Sequence, residues 1–231
     1  MSWMSFTPHL RRFHVAQESP EALVILLHDL GASPATIAPV AARWSSAVRN
    51  TTFMALGEVE QLDRGFCERR VEATPAANAG VEPTVLDRAS QHLETLLRHQ
   101  LKMHRLDADQ LVLVGFGYGG TLALHLLLRR GFGCAGILAI GAELATPLPR
   151  VLRIDCKIRL IDVAADRIDH GRLRHVVARF NARSIDARGV LLASPLISDN
   201  VVRHGAAYLV ELVATAQRGN RFHVERTSAH V

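Results

Sequence analysis

The chain has 231 residues and a formal net charge of +5, and nearly half of its residues are apolar. That length suits one α/β domain of ordinary size, and the few aromatic residues indicate an aliphatic core. The positive charge is almost all arginine, scattered without a run typical of a nucleic-acid-binding arm, and no stretch approaches the ~20 apolar residues of a membrane span.

Apolar runs bounded by turn residues alternate with helical patterns along the chain. The first half predicts an edge strand at 13–17, a buried strand at 22–27, a helix opened by Ser33-Pro34 and running to about 48, a strand at 52–56, a long loop at 57–80 and a helix at 83–104. The second half predicts a strand at 111–114 with a helix directly after it, strands at 134–140 and 157–161, a helix at 171–181, a strand at 189–193 and a helix from 199 to about 217.

This alternation predicts a mostly parallel central sheet with helices on both faces, in three layers. We expect a single domain over residues 1–217 and a polar C-terminal tail over 218–231. We expect no large lid, because the segment 144–156 is short.

The three cysteines, Cys67, Cys134 and Cys156, are odd in number and widely spaced. They form neither a disulfide framework nor a C-x-x-C metal pair, and Cys134 lies in an apolar run typical of a small core residue. The N-terminal segment lacks the apolar core of a signal peptide. These observations predict a cytoplasmic protein.

A glycine-rich turn follows the strand at 111–114, with Gly115, Gly117 and Gly119 at alternate positions before a Leu/Ala-rich helix. This is the strand–turn–helix pattern of a nucleophile elbow, G-x-S-x-G, in which the serine sits on a sharp turn. Gly117 occupies the serine position, and glycine adopts the positive φ of such a turn at little steric cost. A glycine-rich turn that binds a nucleotide is the alternative interpretation.

Three segments together, 26–33, the elbow and 158–166, resemble the phospholipase/carboxylesterase family of α/β-hydrolases. This family includes acyl-protein thioesterases and small bacterial carboxylesterases, and the resemblance extends over about residues 22–214. It implies an α/β-hydrolase fold and hydrolysis of carboxylic esters or thioesters by a Ser-Asp-His triad, with no cofactor.

The resemblance also implies where the triad should lie, and two of its members are substituted. The nucleophile falls on Gly117, the acid on Asp166 and the base on Pro195, within Ser194-Pro-Leu-Ile-Ser198. Glycine offers no nucleophile, and without an imidazole no group accepts the proton.

The oxyanion hole of the family would use the backbone N–H groups of Leu30 and Tyr118. This chain has Asp29 after His28, where the family has a glycine, and its negative charge would oppose the N–H donors. His28, Asp29 and Gly117 are therefore expected to line the cleft. A further departure is Asp162-Val163, where the strand before the acid usually ends in His-Gly.

None of the histidines near these segments is expected to replace the missing base, and His125, inside the elbow helix, is expected to be buried and hydrogen-bonded. The residues considered are His28, His125, His170, His175 and His204. Asp162 and Asp166 with His170 loosely resemble metal ligands, but further ligands are missing and we expect no metal. Ser33 and Ser198 are predicted to be helix caps.

The sequence therefore predicts a hydrolase-like protein without catalysis, a pseudoenzyme that binds a small acyl or carboxylate ligand or a protein partner. Two alternatives stay open: an active ester or thioester hydrolase with a relocated catalytic residue, and a structural or interaction protein such as a homodimer. Gly117→Ser combined with Pro195→His is expected to give measurable esterase activity, and Gly117→Ser alone little.

Overall fold

The computed structural model describes residues 10–14, 19–57, 83–149, 154–163 and 170–228. The strands are β1 (Leu10–His14), β2 (Ala22–Leu27), β3 (Thr51–Leu56), β4 (Leu111–Phe116), β5 (Gly136–Ile140), β6 (Lys157–Val163) and β7 (Ala187–Leu192). The helices are α1 (Pro34–Ser45), α2 (Pro83–His104), α3 (Tyr118–Arg130), α4 (His170–Asn181) and α5 (Asp199–Ser228), with a short 3₁₀ turn at Ala108–Gln110.

The seven strands form one sheet in the order β1-β3-β2-β4-β5-β6-β7. β1 runs antiparallel to β3, and the other six strands are parallel. The prediction of a mostly parallel sheet is confirmed. Because parallel strands end at the same edge, the turns after β2, β4, β5 and β7 meet at the carboxyl edge of this sheet.

The buried strands divide their side chains between two apolar cores. Leu23, Ile25 and Leu27 of β2 pack with residues of α2 and α3, whereas Val24 and Leu26 pack with residues of α1 and α5. Successive residues of a strand point to opposite faces, so helices cover the sheet on both sides in three layers.

Several boundaries differ from the prediction. β1 lies at 10–14 instead of 13–17, and the helix opened by Ser33-Pro34 ends at Ser45. α5 continues to Ser228, eleven residues past the predicted end at Gln217. Residues 218–228 lack proline, and a polar sequence keeps its backbone hydrogen bonds inside the helix. The predicted loop at 57–80 lies, except for Gly57, outside the described residues, as does Cys67.

Cys134 and Cys156 are both buried, as expected for Cys134, and their sulfur atoms lie 3.6 Å apart. The hydrogen bond with Cys134, together with burial, raises the pKa of the Cys156 thiol well above its ordinary value. No helix in the described part of the chain is long and apolar enough to cross a membrane.

A fully buried arginine, Arg159 on β6, ties the edge of the sheet to α5. Its guanidinium donates to both carboxylate oxygens of Glu211 at 2.6 and 2.9 Å, and to Asp186 at 2.9 and 3.2 Å. The hydrogen bonds from Arg159 hold the pKa of both carboxyl groups below their ordinary values. Asp186 and Glu211 are themselves partly exposed, so water also solvates their carboxylates.

We predict an acid-sensitive contribution of this cluster to stability. A carboxyl group whose pKa is lower in the folded than in the unfolded chain stabilises the fold above its unfolded pKa, and this stability is lost as the pH falls. Urea unfolding should therefore show stability falling as the pH drops below about 4.5, the ordinary pKa of the Glu211 carboxyl. Arg159→Met should flatten that dependence.

The control is Arg43→Met, which removes an exposed ion pair with Asp199. Exposed pairs contribute only about 0–1 kcal/mol, so this variant should keep the wild-type pH dependence. Parallel pH profiles of Arg159→Met and the wild-type protein would contradict the prediction.

Candidate active site

Gly117 forms the tip of the turn between β4 and α3, at the carboxyl edge of the sheet. Its φ of 52° and ψ of −118° lie in a region that a residue with a side chain adopts only under strain. Its N–H donates to the carbonyl of Ile140, at the end of the neighbouring strand, at 2.8 Å. Gly115 lets α3 approach β4 closely, since a Cβ there would lie 2.3 Å from the Cα of Gly120.

The carboxylate of Asp29 fills the space beside this tip. Its Oδ1 accepts hydrogen bonds from the backbone N–H groups of Tyr118, at 2.8 Å, and Leu30, at 2.9 Å. These are the two N–H groups assigned by resemblance to an oxyanion hole, and both converge on the same oxygen. Sequence reasoning placed the Asp29 charge near the hole but did not predict that the carboxylate occupies it.

The position of Asp29 also accounts for the glycine at position 117. A Cβ on Gly117 would lie 2.3 Å from both Cγ and Oδ1 of Asp29. Carbon atoms do not approach so closely without displacement, so the carboxylate takes the place that a side chain at the elbow would occupy. Tyr118 is the first residue of α3, where the helix dipole also favours a negative charge.

His28 forms a hydrogen bond with the same loop. It is 1% exposed at the end of β2, and its Nδ1 lies 2.8 Å from the carbonyl oxygen of Asp29. This hydrogen bond restrains the backbone of the loop, which is a structural role for His28.

The loop between β7 and α5 has no imidazole at the position assigned to the base. Pro195 is exposed there, and Leu196 packs over Gly141 at the end of β5. Ser198 caps α5, accepting a hydrogen bond from the N–H of Val201 at 3.3 Å.

Around the elbow, the remaining polar candidates do not complete a triad among the described residues. Asp162 accepts a hydrogen bond from the N–H of Val163, next to it in the chain, at 3.0 Å. His204 contacts the carbonyl of Asn200 within α5, and His175 is exposed on α4. Asp166 and the His170 side chain lie outside the described residues, and in the part that is described no group of His, Cys, Asp and Glu could hold a metal ion.

The sequence model of the phospholipase/carboxylesterase family matches residues 12–150, more than half of the chain. The chain belongs to this family. No curated protein sequence is significantly similar to it.

Solved structures show the same α/β-hydrolase fold. Esterase PE8 has a TM-score of 0.71 at 18% identity, over 89% of this chain and 98% of that one. The Bacillus cereus carboxylesterase has a TM-score of 0.69 at 13% identity, over 90% and 96%. YahD, solved with malic acid, has a TM-score of 0.68 at 14% identity, over 89% and 100%.

A second polar cluster lies further along α3 of this phospholipase/carboxylesterase-family chain. His125 is 3% exposed, as expected, and its Nδ1 lies 2.5 Å from the hydroxyl oxygen of Thr146, in the segment after β5. Its Nε2 lies 2.9 Å from Oδ1 of Asp87 on α2. Sequence reasoning missed Thr146 and Asp87, which stand 21 and 38 residues from His125 and share no local pattern with it.

We predict that Gly117 and Asp29 are energetically coupled. Gly117→Ala should destabilise the protein through backbone strain of about 1–3 kcal/mol and overlap with Asp29 of about 1–3 kcal/mol. In an Asp29→Ala background only the strain remains. Urea unfolding of the two single variants and the double variant should therefore give a coupling energy of about 1 kcal/mol or more.

Gly131→Ala is the matched control. Gly131 also has a positive φ, 66°, but nothing lies within 4 Å of a Cβ built there. Its effect should add to that of Asp29→Ala within about 0.5 kcal/mol. Equally additive behaviour of Gly117→Ala and Asp29→Ala would contradict the proposed contact.

Proposed function

We propose that this chain is a member of the phospholipase/carboxylesterase family without catalysis at its former active site, over which it binds a small acyl or carboxylate ligand or a protein partner. The proposal rests on the Asp29 carboxylate, which takes both N–H donors that a substrate carbonyl would need. Gly117 supplies no nucleophile, and Pro195 supplies no base. Nucleophile, base and open oxyanion hole are the parts on which serine-esterase chemistry depends.

The contact of Asp29 also limits how a ligand binds. A carbonyl or carboxylate group reaches the N–H groups of Leu30 and Tyr118 only if the Asp29 side chain moves away, and then two charge-assisted hydrogen bonds are lost. Such a ligand must therefore bind through other groups of the cleft. A protein partner, a second copy of this chain included, needs no displacement of Asp29.

The absence of an activated serine in the cleft is testable with a fluorophosphonate probe, which reacts with activated hydroxyl groups. Digestion and mass spectrometry of the treated protein should show no phosphonylated residue in peptides that cover the elbow or the loop 194–198. A labelled Ser194 or Ser198 would contradict the proposal and support the alternative of a relocated nucleophile.

The sequence indicates two substitutions for restoring activity, Gly117→Ser and Pro195→His. The structure indicates a third, Asp29→Gly. A serine at position 117 would overlap Asp29, so Gly117→Ser with Pro195→His alone is expected to stay inactive. Adding Asp29→Gly removes the overlap and frees both N–H groups. The triple variant should then hydrolyse p-nitrophenyl butyrate faster than the double variant by about 10²-fold or more, since one oxyanion-hole donor contributes about that much.

The control carries Gly117→Ala in place of Gly117→Ser, together with Asp29→Gly and Pro195→His. It keeps the open hole and the imidazole but has no hydroxyl, so it should stay inactive. Hydrolysis by the double variant as fast as by an active triple variant would show that Asp29 does not block the site.

A further inference from the structure

The second polar cluster joins three separate elements through one buried imidazole. Thr146 comes from the segment after β5, His125 from α3 and Asp87 from α2. His125 is 3% exposed, whereas Thr146 and Asp87 are only half-buried. Thr146 is therefore more accessible to solvent, as a residue, than the ring that it contacts.

The direction of the hydrogen bonds follows from the chemistry of the acceptor. A carboxylate oxygen only accepts, so the bond to Asp87 places the ring proton on Nε2 of His125. Nδ1 then carries a lone pair, and the Thr146 hydroxyl donates to it. Nε of Arg129 lies 3.5 Å from the same Oδ1 of Asp87.

A hydroxyl that donates to an imidazole, itself held by a carboxylate, is the arrangement that makes an alcohol nucleophilic. We infer that Thr146 is an activated hydroxyl that accepts the acyl group of a small activated ester or thioester. His125 is the catalytic base and Asp87 is a positioning residue. This inference does not rest on the proposed function, because it concerns a different hydroxyl from the one lost at Gly117.

The acyl transfer to Thr146 needs no further reactant. Thr146 Oγ1 forms a bond to the carbonyl carbon, and its proton passes to Nδ1 of His125. The bond from that carbon to the alcohol or thiol oxygen or sulfur breaks, and the leaving group takes the proton from His125. The products are an acyl ester of Thr146 and a free alcohol or thiol.

The segment that carries Thr146 is fixed to the same helix at a second point. Thr121, one turn before His125 on α3, accepts a hydrogen bond from the N–H of Glu143 at 2.9 Å. Such fixation keeps the hydroxyl in place against the imidazole, and a positioned general base contributes about 10²–10⁴-fold to a rate.

The test is acetylation by p-nitrophenyl acetate, followed by tryptic digestion and tandem mass spectrometry. Cleavage after Arg130 and Arg150 releases a peptide in which Thr146 is the single hydroxyl, and hydroxylamine at neutral pH removes any acetyl thioester from Cys134. Thr146 should gain one acetyl group about 10²-fold faster than Thr95. Thr95 is the matched control, an exposed threonine on α2 whose hydroxyl donates to the carbonyl of Gln91.

Variants distinguish an activated Thr146 hydroxyl from one that only forms a structural hydrogen bond. Thr146→Val should abolish acetylation of the peptide and Thr146→Ser should retain it. Asp87→Asn and His125→Gln should each slow it by about 10²-fold. Because Asp87 is half-buried, Asp87→Asn is expected to fold, and its rate of Thr146 acetylation tests the inference even if His125→Gln does not fold.

Two results would overturn the inference: an unmodified Thr146 peptide in the wild-type protein, or acetylation that is equally fast in Asp87→Asn. An acetylated residue at the elbow or in the loop 194–198 would instead contradict the proposed function. The position of the acetyl group therefore tells the two failures apart.

Discussion

The site depends on one contact, the carboxylate of Asp29 against the N-terminus of α3. Its Oδ1 joins the end of β2 to the elbow by accepting the N–H groups of Leu30 and Tyr118. The contact requires a bare α-carbon at Gly117, because a Cβ there would lie 2.3 Å from the carboxylate. Conversely, a bare α-carbon leaves the space that the carboxylate fills. The departures from the family pattern at Asp29 and Gly117 therefore depend on each other.

In this arrangement the elbow backbone is less strained than it would be with a side chain at position 117. A residue with a side chain at the elbow conformation is strained by about 1–3 kcal/mol, which glycine avoids. The first N–H groups of a helix need acceptors, and an open oxyanion hole leaves them to water or substrate. Asp29 supplies that acceptor from within the chain. Residues that increase stability at a catalytic centre commonly reduce its activity, and in the proposed function the Asp29 contact has both effects.

Local patterns predicted most of the fold, whereas the polar contacts depend on tertiary structure. Continuous apolar runs identified β2 and β4. Apolar residues at helical spacing identified α2 with both of its ends, namely Val85, Leu86, Leu93, Leu96, Leu97 and Leu101. The end of α5 could not be predicted, because residues 218–228 are largely polar and include Gly219 and Asn220, which are typical of helix ends, and yet the helix continues through them to Ser228. Asp29 could be placed near the hole, but the convergence of two N–H groups on Oδ1 requires the loop backbone. The contacts of His125 join residues far apart in sequence, which no periodicity reveals.

In the two proposals, the parts of an acyl-transfer site lie at two places on the same helix. The paired N–H groups lie at the first turn of α3, and the imidazole lies seven residues later, about 10 Å along the axis. Electrostatic stabilisation of the oxyanion is usually the largest single contribution to such catalysis, and here those donors hold Asp29. A hydroxyl activated by His125 gains nucleophilicity without these donors, so we expect acyl transfer to Thr146 to be slower than in an esterase with both parts together. Membership of an esterase family and esterase activity are separate properties, because activity requires that the donors and the nucleophile act on the same carbonyl.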